Sequence, residues 1–141
     1  MSNDLRFAPT LTVKTHEKAF RKSSVPFFVD TGKRCVTVKF SGELVADEIA
    51  MYAKCLLSDA GFNPTFSEIV DLTQVTDFKL QANDFIKLAD KIDPFWPEAK
   101  RAFVARTPVQ NHAARMHKIL RSERKIEIFQ SIEEAQRWID E

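Results

Sequence analysis

Glycine is scarce in this sequence, with three residues in 141. None sits in a Gly-rich phosphate loop or a nucleophile elbow, so the backbone cradles that nucleotide-dependent enzymes and α/β-hydrolases need are missing. Cysteine is equally sparse. Cys35 and Cys55 form no Cys-x-x-Cys pair and have no His at ligand spacing, which argues against a structural zinc and for two reduced, mostly buried thiols. An excess of one charge is absent too. Lys and Arg number 21 against 20 Asp and Glu, for a formal net charge of +1, so no overall field recruits nucleic acid or an anionic membrane. No stretch approaches the ~20 apolar residues of a membrane span. The first twenty residues hold no continuous apolar h-region, so the expected compartment is the cytoplasm.

What is present is a core. Hydrophobic residues make up 44% of the chain and twelve residues are Phe, enough for one compact domain that buries roughly 70% of its unfolded surface. "SVPFFVD" and "RCVTVKFSG" are β-rich runs separated by turn residues around Gly32, which predicts an antiparallel hairpin. Pro26 lacks a ladder donor and favours an edge position for the first run. Ile49, Tyr52, Ala53 and Leu56 recur at helical spacing over 45–58. A short strand centred on Ile69 and Val70 follows, then a helix over about 81–92, a strand in "AKRAFVAR", and a helix opened by Pro108 with Val109, Ala113, Met116 and Leu120 as its apolar stripe. "KIEIF" reads as the last strand. Ser131 and Glu134 form a capping-box pattern for a closing helix that buries Ile132, Ala135 and Trp138 or Ile139. Strands alternating with helices imply a mixed, largely parallel α/β sheet of four to five strands, with an N-terminal hairpin and flanking helices. Residues 1–23 read as an arm or extra edge element, and 24–141 as a single domain.

No catalytic constellation stands out. His112 and His117 are five apart and share no face as metal ligands would. Asp71 follows Val70 near the end of a presumed central strand, where open sheets place ligands, yet no His, Ser or Cys nucleophile motif accompanies it. The expected ligand site lies at the carboxyl ends of the strands finishing at Asp71 and Arg106. Thr73 stands beside it, with Thr107 as a helix cap and the amides around Gln110 and Asn111 as anion donors. The plainer alternative is a capped helix with Arg106 paired on the surface.

Residues 100–125 carry eight Lys and Arg against Glu123 alone. On a helical wheel Arg115, Lys118 and Arg121 lie opposite the apolar stripe, as a solvated helix face or as a docking surface for an acidic partner. Phe95 and Trp96, between two prolines, either roof the core or anchor an interface. Base-stacking aromatics do not interleave with these cations, so nucleic acid is not an expected partner.

The element order, "VKFSGELVADEIAMY", "IVDLTQVTDF", "RAFVARTPVQNHAARMHKIL" and "IEIFQSIEEAQRWI" together resemble the STAS-like family of anti-sigma-factor antagonists and related small bacterial proteins, over about residues 24–140. The closing Phe129, Glu134, Ala135 and Trp138 pattern resembles the uncharacterised stand-alone branch. The resemblance implies a STAS-like fold and a non-enzymatic interaction or regulatory module without a cofactor. It also implies a phosphorylatable Ser in an Asp-Ser-Ser/Thr-Gly motif after the strand matched by "IVDLT". Here that stretch is Asp77, Phe78, Lys79, Leu80 and Gln81, with neither hydroxyl nor glycine, so the phosphoserine switch is expected to be lost. Thr73 and Thr76 are the nearest hydroxyls. A more remote likeness to the lipid-binding CRAL-TRIO fold leaves a second class open, a carrier of a small apolar or anionic ligand, and an unrecognised enzyme is the third. The expected partner is thus a protein, a second copy in a homodimer included, or such a ligand.

Overall fold

The computed structural model describes residues 25–81, 83–84 and 93–141. Strands β1 (Phe27–Asp30) and β2 (Cys35–Val45) are followed by helix α1 (Ala46–Leu57) and strand β3 (Ser67–Lys79). Then come β4 (Lys100–Val104), α2 (Pro108–Leu120), β5 (Lys125–Phe129) and α3 (Ile132–Asp140). They build one five-stranded sheet in the order β1-β2-β3-β4-β5. The β1–β2 pair is antiparallel and the other three pairs are parallel. This is the mixed α/β architecture that the alternating periods imply. Of the helix expected over 81–92, Asn83 and Asp84 are helical; residues 82 and 85–92, like the N-terminal segment 1–23, lie outside the described residues. Among the described residues no helix is long and apolar enough to cross a membrane.

The hairpin turns where Asp30 Oδ1 accepts the Lys33 N–H at 3.0 Å and Arg34 takes φ 55°. The two faces of the sheet hold two cores. On one, Val36, Val38, Phe40, Leu56, Val70 and Phe103 pack with the buried side of α1. On the other, Cys35, Ile69, Ala102 and Val104 meet Ala135 of α3, with Ile132, Trp138 and Ile139 packed around them. Ser131 Oγ caps α3 by accepting the Glu134 N–H. The Glu134 carboxylate accepts the N–H of Gln130, one residue earlier than a reciprocal box requires.

The central strand corrects an expectation. Rather than ending near Asp71, β3 runs to Lys79, pairing with β2 throughout, while its ladder with β4 stops at Asp71↔Val104. Register shifts between Lys39/Ser41 and Gly42/Glu43 mark two bulges in which β3 carries the extra residue. Gly42 takes the accompanying φ of 66° on β2, a conformation open to glycine without a Cβ penalty. The bulges break the period-2 alternation around Thr73 and Thr76, which is why the strand beyond Asp71 does not show in the apolar pattern.

Candidate functional site

The six residues expected at the strand ends do come together, but as a closed joint. Asp71 is buried, and its Oδ1 accepts both the N–H (2.9 Å) and the hydroxyl (2.7 Å) of Thr73 across the first bulge. Beyond Asp71 β3 has lost β4, and the side chain of Gln110 takes the missing strand's place. Its Nε2 donates to the carbonyls of Thr73 (3.2 Å) and Val75 (2.9 Å). Its Oε1 accepts the N–H groups of Arg106 (2.9 Å) and Thr107 (3.1 Å). Thr107 Oγ1 caps α2 by accepting the Gln110 N–H, which completes a reciprocal capping box. The donors expected to hold an anion are therefore engaged within the chain: Asn111 N and Nδ2 both reach the Thr107 carbonyl, and Arg106 Nε donates to the carbonyl of Gln130. The plainer alternative, a capped helix with a tied Arg106, describes the observed geometry, although Arg106 pairs with a carbonyl and not with a carboxylate.

The residues expected at a partner interface separate. Trp96 is 55% exposed, and Arg115 is exposed. Lys118 is ion-paired to Glu127 at 3.1 Å across a solvent-exposed contact. Phe95, by contrast, is a core residue, in edge contact with Phe62 and beneath the Arg101 guanidinium. Arg121 is buried as well, against the expectation that it lies on the solvated face. The cause is a rotation of α2. The helix buries Gln110 and Ala114, with His117 and Arg121 on the same face, while Val109 from the expected stripe is 56% exposed. Carbonyls of β3 and the carboxylate of Asp93 make that wall of the fold polar, so polar side chains turn inward to meet it.

The sequence reading missed the ionic cluster that results. Glu68 of β3 and Arg101 of β4 are register partners. Arg101 Nε and NH2 contact Glu68 Oε1 at 3.0 and 2.9 Å, and NH1 contacts Asp93 Oδ2 at 2.6 Å. Tyr52 of α1 donates its hydroxyl to Glu68 Oε2 at 2.6 Å. Arg124 and Arg121 approach Asp93 at 3.4 and 3.9 Å, and exposed Glu123 lies near both. Burial works against the charged Arg101, but Glu68 and Asp93 outweigh it and hold the guanidinium protonated beyond its ordinary range. Burial, then the Glu68 charge, pushes the Tyr52 phenol well above its usual value, so it stays a neutral donor. A charged residue inside each of two apolar central strands, Glu68 in "SEIVDL" and Arg101 in "KRAFVA", is the signal that could have revealed the pair.

The cluster borders a cavity of about 100 Å³ between the sheet and the helices α1 and α2. Phe40, Leu44, Ile49, Leu72, Phe78 and Phe103 are among its walls, and the surface it presents is almost entirely apolar. Glu68, Asp93, Arg101 and His117 also reach it. His117 lies against the Phe103 ring, with centroids 5.1 Å apart. Burial, and then the Arg101 charge, lowers its pKa to about 3. A His with a depressed folded pKa contributes stability that is present above its unfolded value of about 6.5 and is lost as pH falls towards the folded one. Urea melts from pH 7 down to 4 should show this loss, and His117→Gln should flatten it; parallel profiles for the two proteins would refute the assignment. Cys35, buried under α3, has its thiol pushed up to about 11, chiefly by burial, and both cysteines are free. The raised Cys35 thiol is the opposite of a reactive thiolate.

No family model matches the sequence, and no curated protein matches it. Solved structures do. An uncharacterised DUF3478-family protein with a SpoIIAA-like fold from Shewanella loihica PV-4 aligns with a TM-score of 0.59 at 18% identity, covering 82% of this chain and 92% of that one. An anti-sigma factor antagonist from Mycobacterium paratuberculosis aligns with a TM-score of 0.59 at 15% identity, covering 86% of this chain and 98% of that one. The chain thus has a SpoIIAA-like α/β fold.

Proposed function

We propose that the protein is a non-enzymatic regulatory or interaction module of STAS type that works without a phosphoserine switch. The observation that carries the proposal is the course of β3. Asp77, Phe78 and Lys79 are strand residues paired with β2, and the stretch to Gln81 offers no hydroxyl. Thr73, the nearest hydroxyl to Asp71, donates to that carboxylate, so a phosphate there would face a like charge and have to break the bulge contact. Two free thiols suit a reducing compartment, and a cytoplasmic setting is part of the same proposal. Trp96 is the anchor in this reading: its backbone N–H donates to the Pro64 carbonyl and its backbone carbonyl accepts the Ala99 N–H, so the main chain that presents the half-exposed ring is tied down. Exposed Arg115 is the complementary cation for an acidic partner.

Intact-mass analysis of protein from its own cells should show no stoichiometric phosphate in the peptide 67–87; phosphate on Thr73 or Thr76 would overturn this part of the proposal. Affinity purification from the same cells should retain a protein partner at defined stoichiometry, and Trp96→Ala should lose it while keeping the fold. Retention unchanged by Trp96→Ala would remove that residue from the interface.

The cavity favours a second reading, a carrier or sensor of a small ligand. Mass spectrometry of small molecules released from the same purified protein separates the two. A recurrent passenger at about one per chain supports the carrier, and its absence leaves the interaction module.

A further inference from the structure

The carrier reading leaves the chemistry of the ligand open between apolar and anionic, and the hydrogen bonds around the cavity distinguish them. An anion entering an apolar cavity needs a countercharge or free donors, because stripping its hydration without replacement is strongly unfavourable. Arg101 is the guanidinium in the lining, and its charge is already matched by two carboxylates: Nε and NH2 serve Glu68 and NH1 serves Asp93. The Tyr52 hydroxyl is directed at Glu68. His117, with its depressed pKa, is a neutral imidazole at ordinary pH. Among the described lining residues two carboxylates face one guanidinium, while Arg121 and Arg124 meet Asp93 from outside the lining. A cation fares no better. Glu68 accepts from Arg101 and Tyr52, and Asp93 from Arg101 and the Phe95 N–H.

We propose that the cavity takes an uncharged apolar ligand, a short aliphatic chain or small ring, and rejects ionised analogues of the same shape. The inference rests on the carrier reading of the cavity. An apolar cavity of about 150 Å³ accommodates benzene, so the present 100 Å³ suits a buried portion of about four carbons. The closed ionic cluster is the selectivity element: it fills the polar part of the wall without offering a partner to a ligand charge.

Titration of the full chain with hexan-1-ol, hexanoate and hexylammonium at pH 7, followed by amide NMR shifts, tests this. Hexan-1-ol should give saturable shifts at Phe103, Ala113 and His117, with both ions binding at least tenfold more weakly. Glu68→Gln, which frees part of the Arg101 fork, should narrow the gap for hexanoate; an unchanged gap in a folded variant would overturn the role given to the cluster. Should that variant fail to fold, the three-ligand comparison on the natural chain decides alone. Equal or tighter binding of either ion would sink the charge selection and leave the carrier reading standing. No saturable shift with any of the three would sink both.

Discussion

Arg101→Met should lower the stability of the fold by about 3–5 kcal/mol, the range for breaking a buried ion pair by removing one partner. Arg101 is buried, as are the carboxylates it joins. Methionine retains most of the apolar volume, so the loss is electrostatic rather than a cavity effect. Asp93 keeps Arg124 at 3.4 Å and the Phe95 N–H, whereas Glu68 loses its ion pair, keeps the Tyr52 hydroxyl, and is the group left exposed to the full desolvation penalty. Adding Glu68→Gln to Arg101→Met removes that stranded charge while preserving an acceptor for Tyr52. The double variant should therefore be more stable than the Arg101 single variant, a coupling expected for residues in one network. Urea denaturation of the two singles and the double measures it. A single-variant loss below about 1 kcal/mol, as for a solvent-screened pair, or a double variant no better than the single, would show that the cluster is not a tightly coupled buried unit.

The same cluster shows where the sequence is legible and where it is not. Period-2 and helical patterns predict the hairpin, α1, β4, β5 and α3, because each of these buries an apolar face against an apolar neighbour. The α2 helix is predicted as an element, yet its orientation is not. Val109, Ala113, Met116 and Leu120 form the apolar stripe, but the wall that α2 meets holds the carbonyls of Thr73 and Val75 and the carboxylate of Asp93. Gln110 and Arg121 meet that wall and His117 turns onto the Phe103 ring, and three polar residues at helical spacing look, on a wheel, like a solvated face. The β3 extension is hidden for a related reason: two bulges shift the alternation at Thr73 and Thr76. Asp71, Thr73, Arg106, Thr107, Gln110 and Asn111 are joined at the strand ends by hydrogen bonds, a closure that the logic of parallel strand ends does not anticipate.

Gln110 is the residue on which that closure depends, and two substitutions separate its packing from its polarity. Its side chain is almost fully buried and makes four hydrogen bonds to backbone groups of β3 and the β4–α2 turn. Gln110→Ala leaves two carbonyls and two N–H groups without that partner, and with a lost hydrogen-bonded group worth roughly 1–3 kcal/mol and some of the four rehydrated, a loss of about 3–4 kcal/mol is expected. Gln110→Glu preserves shape and the acceptor for Arg106 and Thr107, but turns a carboxylate oxygen towards the Thr73 and Val75 carbonyls. Lone pairs then oppose lone pairs, and only the protonated acid can donate to one of them. The folded state therefore binds the proton more tightly than the unfolded chain does, which raises the folded pKa of the introduced Glu above the unfolded value of about 4.3. Its favourable contribution is in full below that unfolded value and is lost as pH rises through the folded one. Relative to the natural chain, Gln110→Glu should thus come closest in stability near pH 4 and fall furthest behind near pH 8, while the Gln110→Ala deficit should stay constant across the range. Urea midpoints for the three proteins at pH 4, 6 and 8 test the contrast; a Gln110→Glu deficit independent of pH would mean that its carboxylate swings out to solvent and that the joint between α2 and β3 is looser than its hydrogen bonds imply.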